Sequence, residues 1–573
     1  MPTISFLFKD FQQLLERKVS LSEFDELASL YAKAEVENYD KRTDEISVKL
    51  DDTNLPYMWC PEGLARYLRG ILGLQKGIAK LKANSSNFKI LVDNSVKKVR
   101  PFITAFVAKG KKLDDYLLKQ LVQMQEKFCE GYGRRRQKVS IGLYSYKRIT
   151  FPVHYKAVTP ESVKFAPLEF EKELNLKEIL QQHTKGQQYG WILEGFSKYP
   201  LLIDDNRKVL SLPPIINSNF TGRLEVGDSE LLFEATGTDE ESINLAANIF
   251  AQNLAERGFQ IYTVDVKYDT KTVITPDARM EKVKINAREV EQLTGLPLNM
   301  QEVKALLQKA GYDVENGYAV VPHYRADIMH PVDVIEDVAI AYGFDKIPEE
   351  PLRSYTTGSK DKAVAAINSL RKVVSGMGFQ EIFSHILTAK KSLISGIGVE
   401  EKDAAAAAKK IVELDNFMSE TYSAVRDSLL PGLLDVLAKN KHADYPQKIF
   451  EEGIIAAREG GKVLESRSIA LMSAHSKADF TEQKQHLSAI LSSLGVQFTI
   501  KPAEHPAFIK GRVGEIIVNK TQIGKSRFSP LAGKATWEAV GIIGEISPAV
   551  LSSCGIEMPA TGIELDLNAL LLQ

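Results

Sequence analysis

Four acidic side chains crowd one short stretch of this sequence. Asp333, Glu336 and Asp337 follow His330-Pro331 at positions i, i+3 and i+4, the spacing that places side chains on one face of a helix starting at the proline. Asp327 lies in the approaching segment, within reach of that face. Oxygen donors with few competing soft ligands suit a hard cation, and Mg2+ is the expected one. The same spacing also reads as a helix N-terminus whose acids complement the macrodipole. His323 and His330 stand nearby; a zinc site needs a third soft ligand and none is adjacent, so both are read as structural.

Two further features bear on chemistry. Arg134-Arg135-Arg136 with Lys138, and Lys109 with Lys111 and Lys112, are runs that contact phosphates or form solvated loops. No GxxxxGK[ST] loop cradles a nucleotide, which weighs against a stand-alone metal-dependent phosphoryl-transfer enzyme built on the acidic cluster.

The helix that carries the acids is expected to begin at Pro331. It belongs to a small unit, 273–350, with a strand at 281–285, helices at 286–294 and 300–311, and a hairpin at 312–321. Residues 1–112 read as a first α+β domain. Thr3 to Phe8 and Glu45 to Leu50 have strand character, Phe11, Leu14 and Leu15 follow helical spacing, and a helix begins at Pro61. Residues 113–272 read as a second α+β domain, with helices Leu117 to Phe128 and Glu240 to Glu256, strands Lys138 to Tyr144 and Leu231 to Thr236, and a rigid turn from Ser211 to Asn217. Residues 351–573 interleave strand and helix signals, and Ala404 to Ala408 with flanking charges reads as a surface helix. The fold class is therefore multidomain α+β.

At 573 residues the chain has room for roughly three to five domains. Its 73 basic and 74 acidic residues leave a net charge of -1, so a nucleic-acid partner must be held by local patches. Cys60, Cys129 and Cys554 are far apart and form no CxxC pair, which fits a reducing compartment. The apolar burst Phe6-Leu7-Phe8 is too short for a signal-peptide core, and no run approaches membrane-spanning length. A cytoplasmic location is expected.

Several strings, in order along the chain, resemble the β subunits of phenylalanyl-tRNA synthetases. They are Asp52-Thr53-Asn54-Leu55-Pro56-Tyr57 with Glu62-Gly63-Leu64-Ala65-Arg66, then Leu201 to Asp204 with Ser211 to Asn217, then Phe233 to Asp239. The most specific is Tyr324-Arg325-Ala326-Asp327-Ile328-Met329-His330-Pro331 through Asp337 and Ala341 to Asp345. Arg426 to Gly432 and Gly544 to Pro548 complete the set. The family more often has Arg where Leu55 stands. There is no room for the extra domains of the larger bacterial relatives, which points to the short archaeal/eukaryotic type.

The resemblance implies an assembly of two α and two β chains that attaches phenylalanine to its tRNA with ATP bound on the α subunit. It implies a Mg2+ site at Asp327, Asp333, Glu336 and Asp337, shared with that subunit. It implies a tRNA-editing function for 113–272, carried by Leu202, Ser211, Glu234 and Thr236. Some relatives have Asp where Glu234 stands. It also implies that 351–573 is a class II synthetase-like antiparallel-sheet domain without catalysis, since the tail from Gly562 holds no arginine to grip ATP. A non-catalytic RNA-binding scaffold is the rival reading from a different class.

Overall fold

The structure is a computed structural model describing residues 2–352, 354–519 and 537–571. It divides into two compact units, Met1–Pro351 and Leu352–Gln573.

Alternating burial makes Thr3–Leu7 and Glu45–Leu50 strands, and with Ala34–Asp40 they form a three-stranded antiparallel sheet. Helix Phe8–Leu15 buries Phe8, Phe11, Leu14 and Leu15. Ser20 accepts from the Glu23 amide and so starts helix Leu21–Ala32. Helix Pro61–Ile71 opens with its proline and is buried along its whole length. Its Arg66 and Arg69 both reach Glu256, while Arg257 pairs with Asp10 and Glu62, so this helix is ionically tied to helix Glu240–Glu256 and its end.

The second architectural element is a ten-stranded mixed sheet. Its order runs Ile216–Asn217, Val209–Leu212, Tyr199–Ile203, Val153–Val158, Ala83–Val92, Gln260–Lys267, Phe102–Lys109, Glu230–Gly237, Val139–Ser145, with Thr272–Thr275 added on Gln260–Lys267. Two of these strands precede residue 112. The expected boundary there is corrected by this pairing: Phe102–Lys109 is hydrogen-bonded between Glu230–Gly237 and Gln260–Lys267 and cannot belong to a separate domain.

Strands Lys282–Lys284, Tyr318–Val320 and Asp313–Glu315 make a small sheet beside helices Ala287–Thr294, Met300–Lys309 and Pro331–Tyr342. Asn286 and Asn299 cap the first two of these helices. Tyr312, Tyr324 and Val334 lie in the same buried cluster as Tyr57 and Leu64, so this region shares its core with the N-terminal elements.

In the second unit a seven-stranded sheet runs Gln380–Glu381, Gln447–Glu459, Lys462–Ala474, Ala560–Asp566, Trp537–Ile546, Phe508–Asn519, Phe498–Pro502. All neighbours are antiparallel except the first pair. Helices Lys362–Gly376 and Phe480–Ser493 cover one face, through Leu370, Val374, Leu487 and Ile490. The alanine-rich segment is helix Glu401–Ala408 and buries nothing, as expected.

Candidate functional site

Strands Val139–Ser145 and Glu230–Gly237 pair antiparallel, with Glu234 opposite Gly142. A Cβ at Gly142 would stand 2.3 Å from the Tyr144 hydroxyl and 2.5 Å from Glu234 Oε1. The glycine is the space in which those two side chains meet. Tyr144 donates to Glu234 Oε1 at 2.8 Å and stands 2.9 Å from Ser211 Oγ on strand Val209–Leu212. Glu234 Oε2 is buried and has no hydrogen-bond partner among the described residues. A buried acceptor left in that state costs about 1–3 kcal/mol, which an incoming donor would relieve. Burial raises the Glu234 pKa to about 7, against the opposing pull of the Tyr144 hydrogen bond and the Arg100 charge.

Glu234 and Ser211 border a cavity of about 370 Å3, walled by Ser140, Leu212, Ile215 and Asn217 among others. Its size suits a small organic group. Thr236 and Leu202 do not line it. Thr236 lies two residues along the strand from Glu234, and its Oγ1 accepts from Arg100 Nε at 3.0 Å and sits 3.0 Å from Ser140 Oγ. Leu202 is opposite Ser211 in the sheet and packs in the apolar cluster with Tyr155 and Tyr144. The structure thus gathers all four expected residues around one place, two in the wall and two behind it.

Sequence reasoning did not single out Tyr144 or Arg100. Arg100 is 1% exposed. It donates to the Thr236, Gln137 and Arg136 carbonyls and to Ser140 Oγ. Nothing local in the sequence marks it. Nothing local marks Tyr144 either: only the sheet sets Gly142 opposite the buried acid. His183 also borders the cavity, but its Nε2 faces the Leu168 carbonyl at 3.1 Å and its Nδ1 accepts from the Lys185 amide at 3.1 Å. With both ring nitrogens committed, it cannot serve as a general base. Among the described residues no nucleophile–base pair faces the cavity.

The basic run expected as a loop is a left-handed turn. Arg134, Arg135 and Arg136 have φ of 50°, 52° and 67°. Left-handed backbone costs a non-glycine residue about 1–2 kcal/mol. The Arg136 guanidinium borders the cavity, lies 4.2 Å over the Tyr189 ring and donates to the Ile215 carbonyl at 2.9 Å.

The acidic helix starts at Pro331, as expected. Its carboxylates are already engaged. Arg325 bridges Asp327 and Asp337, the latter at 2.7 Å, and Tyr312 also donates to Asp337. Asp333 accepts from the Met329 and His330 amides at 2.8 and 2.7 Å and completes a capping box. Glu336 pairs with Lys33 at 3.1 Å. Among the described residues no three His, Cys, Asp or Glu side chains converge to hold a metal ion. In this chain by itself the four expected acids are engaged by cationic side chains and backbone amides rather than gathered around one point. Burial raises the pKa of Asp337 despite Arg325. The N-terminal string meets this region, with Tyr57 and Tyr324 rings 5.5 Å apart and Arg66 4.3 Å over Tyr324.

The family described as "tRNA synthetase B5 domain" matches residues 283–344, and the "Phenylalanyl tRNA synthetase beta chain CLM domain" matches 347–567. A phenylalanine–tRNA ligase β subunit from Thermococcus kodakarensis is 37% identical over 100% of this chain and 99% of its own length. The namesake from Pyrococcus abyssi is 38% identical over the whole of both chains, and the one from Borreliella afzelii is 32% identical over the whole of both. A crystal structure of an N-terminal fragment of the phenylalanyl-tRNA synthetase β subunit from Pyrococcus horikoshii superposes with a TM-score of 0.58 at 37% identity, covering 60% of this chain and 99% of the fragment.

Proposed function

The chain belongs to the family of phenylalanine–tRNA ligase β subunits, and from that premise we propose that its cavity at Glu234 hydrolyses tyrosyl-tRNA. As a β subunit it is part of a ligase, with an α subunit as partner and tRNA as substrate. In the proposed assembly of two α and two β chains, α binds ATP and performs the synthesis. This chain supplies a scaffold, the non-synthetic Leu352–Gln573 unit, and the proofreading site.

The need for such a site is physical. Tyrosine differs from phenylalanine by one hydroxyl, and an apolar pocket cannot strongly reject a side chain that merely adds one. A second site must therefore reward the hydroxyl. The observation that carries the reading is the unpartnered Glu234 Oε2 beside a cavity of about 370 Å3. A substrate phenol donates to that oxygen, while phenylalanine leaves it unpaired. Water then attacks the ester carbonyl, the acyl–oxygen bond to the ribose breaks, and a proton from the water passes to the departing ribose oxygen, which leaves as a hydroxyl. The products are tyrosine and uncharged tRNA. Ser211, in the wall, orients the ester or the water. Tyr144 fixes the Glu234 carboxyl, and Arg100 fixes the strand through Thr236.

The test is the half-life of Tyr-tRNA with the assembled complex. Wild type should shorten it and spare Phe-tRNA, and Glu234→Ala should lengthen it at least tenfold, the loss of about one charge-assisted hydrogen bond. Phe-tRNA synthesis should persist in the variant. Equal half-lives for the two complexes would show that Glu234 does not read the hydroxyl.

A further inference from the structure

We propose that the left-handed turn Arg134–Arg136 is a phosphate-binding rail that delivers the single-stranded 3′ end of tRNA to the Glu234 cavity. The inference rests on the editing reading and adds to it the path of the nucleic acid.

Three consecutive arginines hold positive φ. The turn caps the preceding helix, Asp115–Glu130, with the amides of Arg135 and Arg136 donating to the carbonyls of Glu130 and Cys129. Glycine would make those backbone bonds without strain. Arginine at all three positions means that the side chains are wanted there. The Arg136 side chain is accounted for: it buttresses the cavity wall through the Ile215 carbonyl and the Tyr189 ring. Arg134 and Arg135 are exposed, and neither has an acidic partner among the described residues. The neighbouring cations do: Lys138 pairs with Asp239 at 3.3 Å and Lys185 with Glu126 at 3.8 Å. On the cavity rim itself Arg223 likewise has an acidic partner, Glu225 at 3.9 Å. The unpaired positive charge of this neighbourhood is thus concentrated on the turn whose third residue walls the cavity.

An ester that enters the cavity is carried on a polynucleotide, and the phosphodiesters just behind it must pass the mouth. Two adjacent guanidiniums suit successive phosphates, which are spaced along a flexible single strand and accept bidentate hydrogen bonds. A solvated loop of ordinary composition would carry the same charges without the left-handed backbone.

The experiment uses the full chain assembled with its α partner. Tyr-tRNA and 3′-O-tyrosyl-adenosine, which carries the same ester without the strand, are hydrolysed by wild type and by the Arg134→Gln/Arg135→Gln double variant. The expected result is a KM for Tyr-tRNA raised about tenfold with kcat unchanged, and a salt dependence of log KM shallower by about 1.4, the value for two single-strand phosphates. Hydrolysis of tyrosyl-adenosine should not change. Arg134→Gly/Arg135→Gly, which relieves the backbone strain while removing the charges, should show the same KM loss at undiminished stability. An unchanged KM for Tyr-tRNA would overturn the rail, as would an equal loss on tyrosyl-adenosine, which would make the turn a support for the cavity. If wild type leaves Tyr-tRNA intact, the editing reading fails and the rail falls with it; wild-type hydrolysis with unaffected variants overturns the rail alone.

Discussion

At Glu234, burial raises the carboxyl pKa to about 7 from a reference of 4.5, while recognition of a phenol calls for the ionised form. The sign of the stability effect follows. The folded chain holds this proton more tightly than the unfolded chain, so stability falls as pH rises from about 4.5 to about 7 and levels off above, by about 3 kcal/mol. Activity should run the other way: Tyr-tRNA hydrolysis and its preference over Phe-tRNA should increase through pH 7. Glu234→Gln should abolish both trends. Denaturation at pH 5 and pH 8 should show the variant gaining on wild type at the higher pH, with its weak hydrolysis flat across that range. Identical pH profiles for the two proteins would exclude Glu234 as the titrating reader. The carboxyl carries this tension because Tyr144 occupies only one of its oxygens.

Local elements were legible where capping and periodicity agree. Helix Glu240–Glu256 follows from Asp239 at its N-cap and apolar spacing, and Pro331 starts its helix because proline needs no amide partner there. The sheet was less legible. Strands Phe102–Lys109 and Glu230–Gly237 are far apart in sequence, and nothing in either names its neighbour. The cavity wall draws on Glu230–Gly237, on its other neighbour Val139–Ser145 and on Val209–Leu212, so Arg100, Tyr144, Ser211 and Glu234 converge through the sheet rather than through a motif. The acidic helix shows the converse: its spacing was legible, but the cations that face it were not. Arg325 is two residues from Asp327, yet only the fold turns it back onto Asp337 as well, and Lys33 comes from the N-terminal sheet region. Arg325→Met should destabilise the first unit by about 3–5 kcal/mol, since it leaves Asp327 and Asp337 buried without their counter-ion. Calorimetric titration of the wild-type chain with Mg2+ should show no uptake that Asp333→Asn/Asp337→Asn removes. A stable Arg325→Met chain would show that the acids do not depend on this counter-ion, and uptake lost in the double variant would show that they serve a metal.

At the scale of the whole molecule, the proposed chemistry falls in the first of the two units. The Met1–Pro351 unit holds the Glu234 cavity and the arginine turn, and the Leu352–Gln573 unit is built on a mostly antiparallel seven-stranded sheet with helices packed on it. The proposed editing site implies a division of labour with α: synthesis on that subunit, with errors removed on this one. The resemblance of the ordered strings extended to the whole chain, as the full-length identity to archaeal relatives shows. The most direct measurement is accumulation of Tyr-tRNA when the assembled complex is given tyrosine, ATP and tRNA without phenylalanine. The wild-type complex should consume ATP and accumulate almost no Tyr-tRNA, while the Glu234→Ala complex should accumulate it and charge phenylalanine at the wild-type rate. Equal accumulation of Tyr-tRNA by the two complexes would contradict a proofreading site in this chain.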